Sequence, residues 1–194
     1  MKLGQVFAVV DIGSTKISCC IASISEEDQF DILGMGYCAC FGVKSGMIVD
    51  MDLVSRSIAR AVESAENAAS FRIRSVYVNV SGKFVKSELI HSSINVGGRI
   101  VKQEDIERML FHGVNKHSDR EVIHSIPILF EMDSLTCTTD PVGMFSNVLK
   151  ASVNVVTVPK IQLNNILVSL SRCHLEVLGV VYGGYASSLC VLDK

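Results

Sequence analysis

The chain has 194 residues, of which 48% are hydrophobic and 20% are charged, and its formal net charge is −2. This composition favours a folded chain with a sizeable core and argues against disorder or a nucleic-acid-binding surface. No apolar stretch approaches the roughly 18 residues of a membrane-spanning helix, and the N-terminus lacks the long apolar core of a secretory signal peptide.

The first forty residues predict a small antiparallel sheet. Apolar or alternating strands are expected at 6–12, 17–22 and 30–40, with a tight turn at 13–16 and a loop at 41–50. The first strand is apolar without alternation, as in a strand that is covered on both faces.

One long helix and a further strand are predicted next. Asp50 or Asp52 is expected to cap a helix that ends near Ala69, because the apolar positions recur with the helical period. Glu66 is placed on the outer face of this helix. The segment "SVYVNV" then alternates as a strand that ends at Gly82.

The character of the sequence changes after Lys83. We expect a polar strand at 84–96, followed by a turn at Gly97–Gly98, in "FVKSELIHSSINVGG". The segment "KQEDIERMLFHGV" predicts an amphipathic helix and "REVIHSIPILFEMD" an alternating strand. A loop is then expected in "SLTCTTDPVGMFSN" and another alternating strand in "VLKASVNVVTV". This unit has the size of an inserted α+β subdomain. A helix, a short apolar strand and a small-residue helix after Gly183-Gly184 complete the chain.

The cysteines indicate packing and not metal binding. There is no CxxC pair, and most cysteines lie in apolar strand-like runs, where a cysteine acts as a small buried hydrophobe in a reducing compartment. The seven are Cys19, Cys20, Cys38, Cys40, Cys137, Cys173 and Cys190.

The turn "DIGSTK" carries the chemistry most suited to a ligand. Gly13 lets the backbone approach a polyphosphate, and Ser14, Thr15 and Lys16 can all donate to phosphate oxygens. Asp11, at the end of a buried strand, could hold a metal-bound water beside them. No helix follows and the spacing is not that of a P-loop. Taken alone, the motif is a weak signal and favours a plain hairpin that needs a glycine and polar turn residues.

The segment "DIGSTKISCCIA" resembles the phosphate-1 hairpin of the actin, Hsp70 and sugar-kinase superfamily. Nearly the whole chain resembles the bacterial cell-division FtsA family, through independent motifs in the same order: "GVKSGMIVDMDLVSRSIARAVESAE", "SVYVNVSGKFV", "IHSIPILFEMDS", "DPVGM" and "VPKIQLNNILVSLSRCHLEVLGVVYGGYASSLCVL".

The resemblance implies an α/β fold: one actin-like (ribonuclease H-like) lobe with an inserted α+β subdomain. Residues 1–83 and 158–194 would form subdomain IA, and 84–157 would form subdomain IC. It also implies that Gly13, Ser14, Thr15 and Lys16 contact the phosphates of ATP, with Asp11 toward Mg²⁺ through water.

In function, the resemblance implies a divisome scaffold and not an enzyme, with at most weak ATP turnover. A complete family member polymerises with ATP and binds FtsZ through a second lobe. It contacts other FtsA protomers and later division proteins through IC, here around residues 87–95 and 121–133. A C-terminal helix ties it to the cytoplasmic face of the inner membrane at the division site.

A second phosphate turn, the FtsZ-binding lobe and the membrane helix are not found in this sequence. We therefore expect an N-terminal fragment or a truncated gene product that binds ATP weakly or not at all. Apolar surface near residues 180–192 is expected to promote self-association. Two alternatives share parts of the pattern: a PilM-type pilus-assembly protein, and a fragment of a sugar or acetate kinase-like phosphotransferase.

Overall fold

A computed structural model describes residues 5–25, 29–114, 119–133 and 136–192. The chain divides into two compact units, Met1–Val85 with Lys160–Lys194, and Lys86–Pro159. We call them the first unit and the inserted unit. Their elements in chain order are β1 (Gln5–Ile12), β2 (Lys16–Ile24), β3 (Phe30–Ala39), β4 (Val43–Lys44), β5 (Met47–Ile48), α1 (Met51–Ala69), β6 (Ser75–Val80), β7 (Lys86–Ile100), α2 (Gln103–Val114), β8 (Arg120–Met132), β9 (Thr136–Thr138), β10 (Phe145–Pro159), α3 (Lys160–Ser171), β11 (Glu176–Tyr182) and α4 (Gly183–Val191).

The first unit is built on a five-stranded sheet in the order β11-β6-β1-β2-β3. Strands β1, β2 and β3 form an antiparallel meander, whereas β6 and β11 run parallel to β1. This mixed order follows from the chain, because two hairpins come first and the later strands return through helices. Alternate residues of the central strands, among them Val10, Ile17 and Val78, are fully buried.

Helix α1 begins and ends where its sequence predicts. The Asp50 carboxylate accepts hydrogen bonds from the amides of Asp52 and Leu53 at 3.0 and 2.9 Å, which is an N-cap. The helix lies very close to β3, since a Cβ on Gly36 would stand 2.0 Å from the Ala61 carbonyl oxygen. Gly34 and Gly36 of β3 therefore make room for the helix backbone.

The prediction that Glu66 faces outward is wrong. Its side chain is buried, its carboxylate accepts a hydrogen bond from the Ile73 amide at 2.8 Å, and it pairs with the Arg72 guanidinium. A carboxylate near the C-terminal end of α1 thus fixes the segment that leads into β6, a role that helical periodicity alone does not reveal.

The segment predicted as a loop at 41–50 contains the hairpin β4–β5. Its two central residues, Ser45 and Gly46, have φ angles of 52° and 81°. Left-handed conformation at both positions is typical of a two-residue hairpin turn. Strands of two residues are too short to show a periodic pattern, so the sequence gives no sign of them.

The inserted unit is a four-stranded sheet in the order β7-β10-β8-β9, packed against α2. Strands β7 and β10 pair along nearly their full length, from Ile100 opposite Phe145 to Lys86 opposite Thr157. Met109 of α2 and Leu149 and Val153 of β10 are completely buried at the centre of this core.

Two predictions for the inserted unit need correction. Gly97 and Gly98 do not turn the chain, because β7 continues through them to Ile100. Their φ angles of 77° and 68° mark a bulge opposite the register shift between Ser146 and Val148. The predicted loop after β8 also contains a short edge strand, β9. Within the described ranges, no helix is both long and apolar enough to cross a membrane.

Candidate functional site

The polar residues singled out in the sequence lie at one edge of the first unit's sheet. Because β1, β6 and β11 are parallel, their carboxyl ends meet at the same edge. Ligands of open α/β sheets bind in crevices outside this edge. The segments that leave these strands begin with Gly13, Ser81 and Gly183.

The Gly13–Lys16 turn is a tight hairpin held by backbone bonds. The Gly13 amide donates to the Lys16 carbonyl at 3.1 Å, and the Cys40 amide donates to the Thr15 carbonyl at 3.0 Å. A Cβ on Gly13 would stand 2.9 Å from the Lys16 carbonyl oxygen, so the turn itself requires glycine. The motif therefore forms a hairpin, as the sequence predicts, and this hairpin does not depend on a ligand.

Two further loops converge on this turn. The Gly46 amide, at the tip of the β4–β5 hairpin, donates to Ser14 Oγ at 2.9 Å. The loop after β6 lies against the same tip, because a Cβ on Gly46 would stand 3.0 Å from the Ser81 carbonyl oxygen. The three loops join parts of the chain that are far apart in sequence.

The loops border a small, open cavity of about 260 Å³. It is lined by Ile12, Gly13, Ser14, Ser45, Gly46, Ser81, Gly82 and Lys83. The lining includes three serines, glycine backbone and one lysine beside the apolar Ile12, and the polar donors among them suit an anion of the size of a phosphate group. We call it the three-loop cavity.

Asp11 faces a different, larger depression of about 840 Å³ on one face of the sheet. Its carboxylate accepts a hydrogen bond from Asn79 Nδ2 at 2.8 Å. The Oδ1 atom of Asn79 is buried and has no hydrogen-bond partner within the part of the chain that the structure describes. Gly183 lies directly against this amide, since a Cβ there would stand 2.8 Å from Asn79 Oδ1.

These two side chains fit a hydrated magnesium ion better than a metal bound only by protein. An orphaned amide oxygen beside a carboxylate provides the hard oxygen atoms that Mg²⁺ or its water ligands prefer. In the described ranges, no group of three or more His, Cys, Asp or Glu side chains forms a metal cage. Mg²⁺ is commonly held by one or two carboxylates together with water and substrate phosphates.

The structure brings only part of the predicted set together. Gly13 and Ser14 line the three-loop cavity, whereas Thr15 contributes its carbonyl group to the hairpin. Lys16 Nζ lies 5.7 Å from the centroid of the Tyr37 ring on the neighbouring strand, a cation–π arrangement. Asp11 lines the larger depression.

Sequence reasoning missed the other two walls of the three-loop cavity. Ser81-Gly82-Lys83 contributes to the family resemblance and was not assigned to a site. A glycine followed by a lysine directly after a buried strand is a usable signal of this kind. Ser45-Gly46 gave no comparable signal, because its position depends on a hairpin that the sequence does not reveal.

Comparisons with known proteins agree with this architecture. Residues 82–157 match the family model described as the SHS2 domain inserted in FTSA. The chain is 33% identical over 203 aligned residues to "Cell division protein FtsA" of Rhizobium meliloti, covering 98% of this chain and 46% of that protein. It is 30% identical to the FtsA of Pseudomonas aeruginosa, covering 100% of this chain and 47% of that protein.

The similarity extends to more distant relatives and to a solved structure. FtsA of Escherichia coli K12 is 28% identical, covering 95% of this chain and 44% of that protein. The structure titled "PilM-PilN type IV pilus biogenesis complex" superposes with a TM-score of 0.65 over 94% of this chain and 49% of that one, at 13% identity. That likeness concerns the fold alone.

The chain spans just under half the length of the curated FtsA proteins that it matches. Its fold is α/β and actin-like, with an inserted α+β unit. The chain is therefore related over its length to the N-terminal part of cell division protein FtsA, and it carries the SHS2 domain of that family at residues 82–157.

Proposed function

We propose that this chain acts in bacterial cell division as part of an FtsA-type scaffold, and that its first unit supplies one wall of an ATP site. The observation that carries the nucleotide role is the three-loop cavity at the carboxyl edge of the parallel strands. In this proposal, Gly13, Ser14 and the neighbouring amides bind phosphate oxygens, and Asp11 holds a water of the Mg²⁺ ion.

The chemistry of the cavity favours binding over catalysis. The polar part of its lining consists of serines, glycine backbone and a lysine, which can donate hydrogen bonds and neutralise charge. The Asp11 carboxylate is already bonded to Asn79, which orients it and occupies one of its oxygens. When bound, Mg-ATP would therefore serve to order the protein, with at most slow turnover.

The inserted unit is proposed to carry the protein contacts. Strand β7 lies at one edge of its sheet and offers unpaired backbone groups along an exposed strand of 15 residues. Leu89 on β7 and Ile128 on β8 are 57% and 54% exposed. Exposed edges and apolar side chains of this kind suit the addition of a strand from a partner. We assign to this surface the contacts with other FtsA protomers and with later division proteins.

Helix α4 supplies a second exposed apolar surface. None of its side chains is buried, and Leu189 and Val191 are 62% and 78% exposed. This supports self-association of the chain through the segment around residues 180–192.

Binding of FtsZ, attachment to the inner membrane and location at its cytoplasmic face at the division site are proposed for the longer FtsA-type protein. The likeness to the PilM structure concerns the fold alone, so it does not favour a PilM-type role. The proposal assigns no pocket to a phosphotransferase substrate.

Copurification tests the scaffold role. The tagged chain, mixed with a full-length FtsA of the same bacterium and Mg-ATP, should sediment with the FtsA polymer. Leu89→Arg should reduce this recovery at least several-fold. Ile161→Arg, which changes another exposed apolar side chain, on α3 of the first unit, should leave it unchanged. Equal loss in both variants, or no cosedimentation of the unchanged chain, would contradict the proposal.

A further inference from the structure

The lysine of the sequence motif does not lie in the cavity that the motif helps to form. Lys16 is the first residue of β2, and its ammonium group is directed to the Tyr37 ring on β3. It is not among the residues that line the three-loop cavity. A cation–π contact of this kind attracts the ammonium group to the ring face and biases the side chain toward it.

Lys83 is the cation that does line the cavity. Its loop is constrained on both sides: the Val85 amide donates to the Gly82 carbonyl at 3.2 Å, and a Cβ on Gly82 would stand 2.9 Å from the Phe84 ring. Gly82 has a φ of 141°, which side-chain-bearing residues rarely adopt. The turn therefore holds Lys83 beside the Gly13-Ser14 wall and not along the strand.

The hairpin tip completes the arrangement. Because Ser14 Oγ accepts a hydrogen bond from the Gly46 amide, its own hydroxyl proton remains available to a ligand. Ser45 and Ser81 add hydroxyl groups to the lining from the other two loops. The described residues provide no hydrogen bond or ion pair to the Lys83 side chain, so its charge is not used within the fold.

We propose that Lys83, and not Lys16, supplies the cation for the phosphate chain of a polyphosphate ligand, in a cradle closed by the Ser45-Gly46 tip. The inference rests on the ATP site proposed above. It assigns the positive charge of that site to the loop after β6 and not to the Gly13–Lys16 turn. The ligand group is the phosphate chain itself, so both a nucleoside triphosphate and inorganic tripolyphosphate should bind.

The test uses the full chain and two matched variants, Lys83→Gln and Lys16→Gln. Calorimetry is carried out at low ionic strength with Mg-ATP and, separately, with inorganic tripolyphosphate. Both probes should bind with dissociation constants in the millimolar range. Lys83→Gln should weaken binding of both probes about fivefold, as expected for an exposed ion pair of about 1 kcal/mol. Lys16→Gln should change binding less than twofold. Thermal unfolding of each variant, followed by circular dichroism, confirms that the fold is intact.

Each alternative result has a distinct meaning. Loss of binding in Lys16→Gln with retention in Lys83→Gln would overturn the inference and leave the ATP site standing. Binding of ATP without tripolyphosphate would overturn the assignment to the phosphate chain. No binding of either probe at millimolar concentration would overturn both the inference and the ATP site, while the cosedimentation experiment would still test the scaffold role independently.

Discussion

Replacing Asp105 should weaken the inserted unit in a pH-dependent way. Its carboxylate is buried near the start of α2 and accepts two hydrogen bonds from Arg99 at 2.7 Å and one from Arg108 at 3.0 Å. It also accepts from the Lys102 amide at 3.0 Å, as the acidic residue of a capping box does. The hydrogen bonds from Arg99 are the main reason that the pKa of this carboxyl falls from 3.8 to about 2.

The pKa gives an upper limit for the effect. One pKa unit corresponds to about 1.4 kcal/mol, so the full shift would amount to about 2.5 kcal/mol. The side chains of Arg99 and Arg108 are 45% and 50% exposed, and solvent screening reduces the contribution to about 1 kcal/mol. Because the folded-state pKa is lowered, this stabilisation is present above about pH 4 and is lost as the pH falls through about 2.

Urea unfolding of the Asp105→Asn variant, followed by far-ultraviolet circular dichroism, provides the assay. At pH 7 the variant should lose about 1 kcal/mol, since the amide carries no negative charge and its NH₂ group cannot accept the hydrogen bonds that Arg99 Nη1 and the Lys102 amide donate to Oδ2. At pH 2 it should unfold at nearly the same urea concentration as the unchanged chain. Glu104→Gln, in the same helical turn but exposed, is the control and should have little effect. A difference that stays constant from pH 7 to pH 2, or an equal effect of Glu104→Gln, would refute the role assigned to the carboxylate.

Two further substitutions test the first unit, and one chemical treatment compares a cysteine of each unit. Asp50→Ala should destabilise it by about 1 kcal/mol through loss of the α1 N-cap, and Asp50→Asn should restore most of that in the same urea assay. Gly36→Ala should lower the melting temperature strongly or prevent folding, because its Cβ would collide with the Ala61 carbonyl; a variant as stable as the unchanged chain would contradict the close packing of α1 on β3. At pH 8, iodoacetamide should modify the exposed Cys137 within minutes and spare Cys19, which is buried and whose pKa is raised to about 12 mainly by that burial; mass spectrometry of the native protein would show the reverse if this were wrong.

Long periodic segments were predictable from the sequence, and short or locally determined ones were not. The bounds of α1 followed from a capping aspartate and a regular apolar stripe, and both signals have a direct physical cause. The hairpin β4–β5 and the edge strand β9 consist of two or three residues, which cannot display a period. Gly97-Gly98 has the composition of a turn, but strand pairing on both sides of it made it a bulge.

The candidate site shows the same division. The tight turn at Gly13 and Ser14 could be inferred locally, because glycine and hydroxyl residues favour such turns. The positions of Lys16 and Lys83 could not, since Lys16 contacts Tyr37 on the next strand and the cavity beside Lys83 is completed by the Gly13 and Gly46 loops, all distant in sequence. One is directed to a tyrosine on the next strand, and the other is placed by a turn after a parallel strand. Glu66 was misplaced for a similar reason: its partners lie beyond the end of its helix.

The pairing of Lys86 with Thr157 has a bearing on how such a protein could arise. The polypeptide enters and leaves the inserted unit at two directly opposed positions of neighbouring strands, so its two ends stand side by side. A segment whose two ends adjoin can be inserted into a surface turn of another protein, because closing the gap between its ends has almost no entropic cost. It can be excised or exchanged in the same way, so the inserted unit can be lost or replaced while the fold of the first unit is preserved.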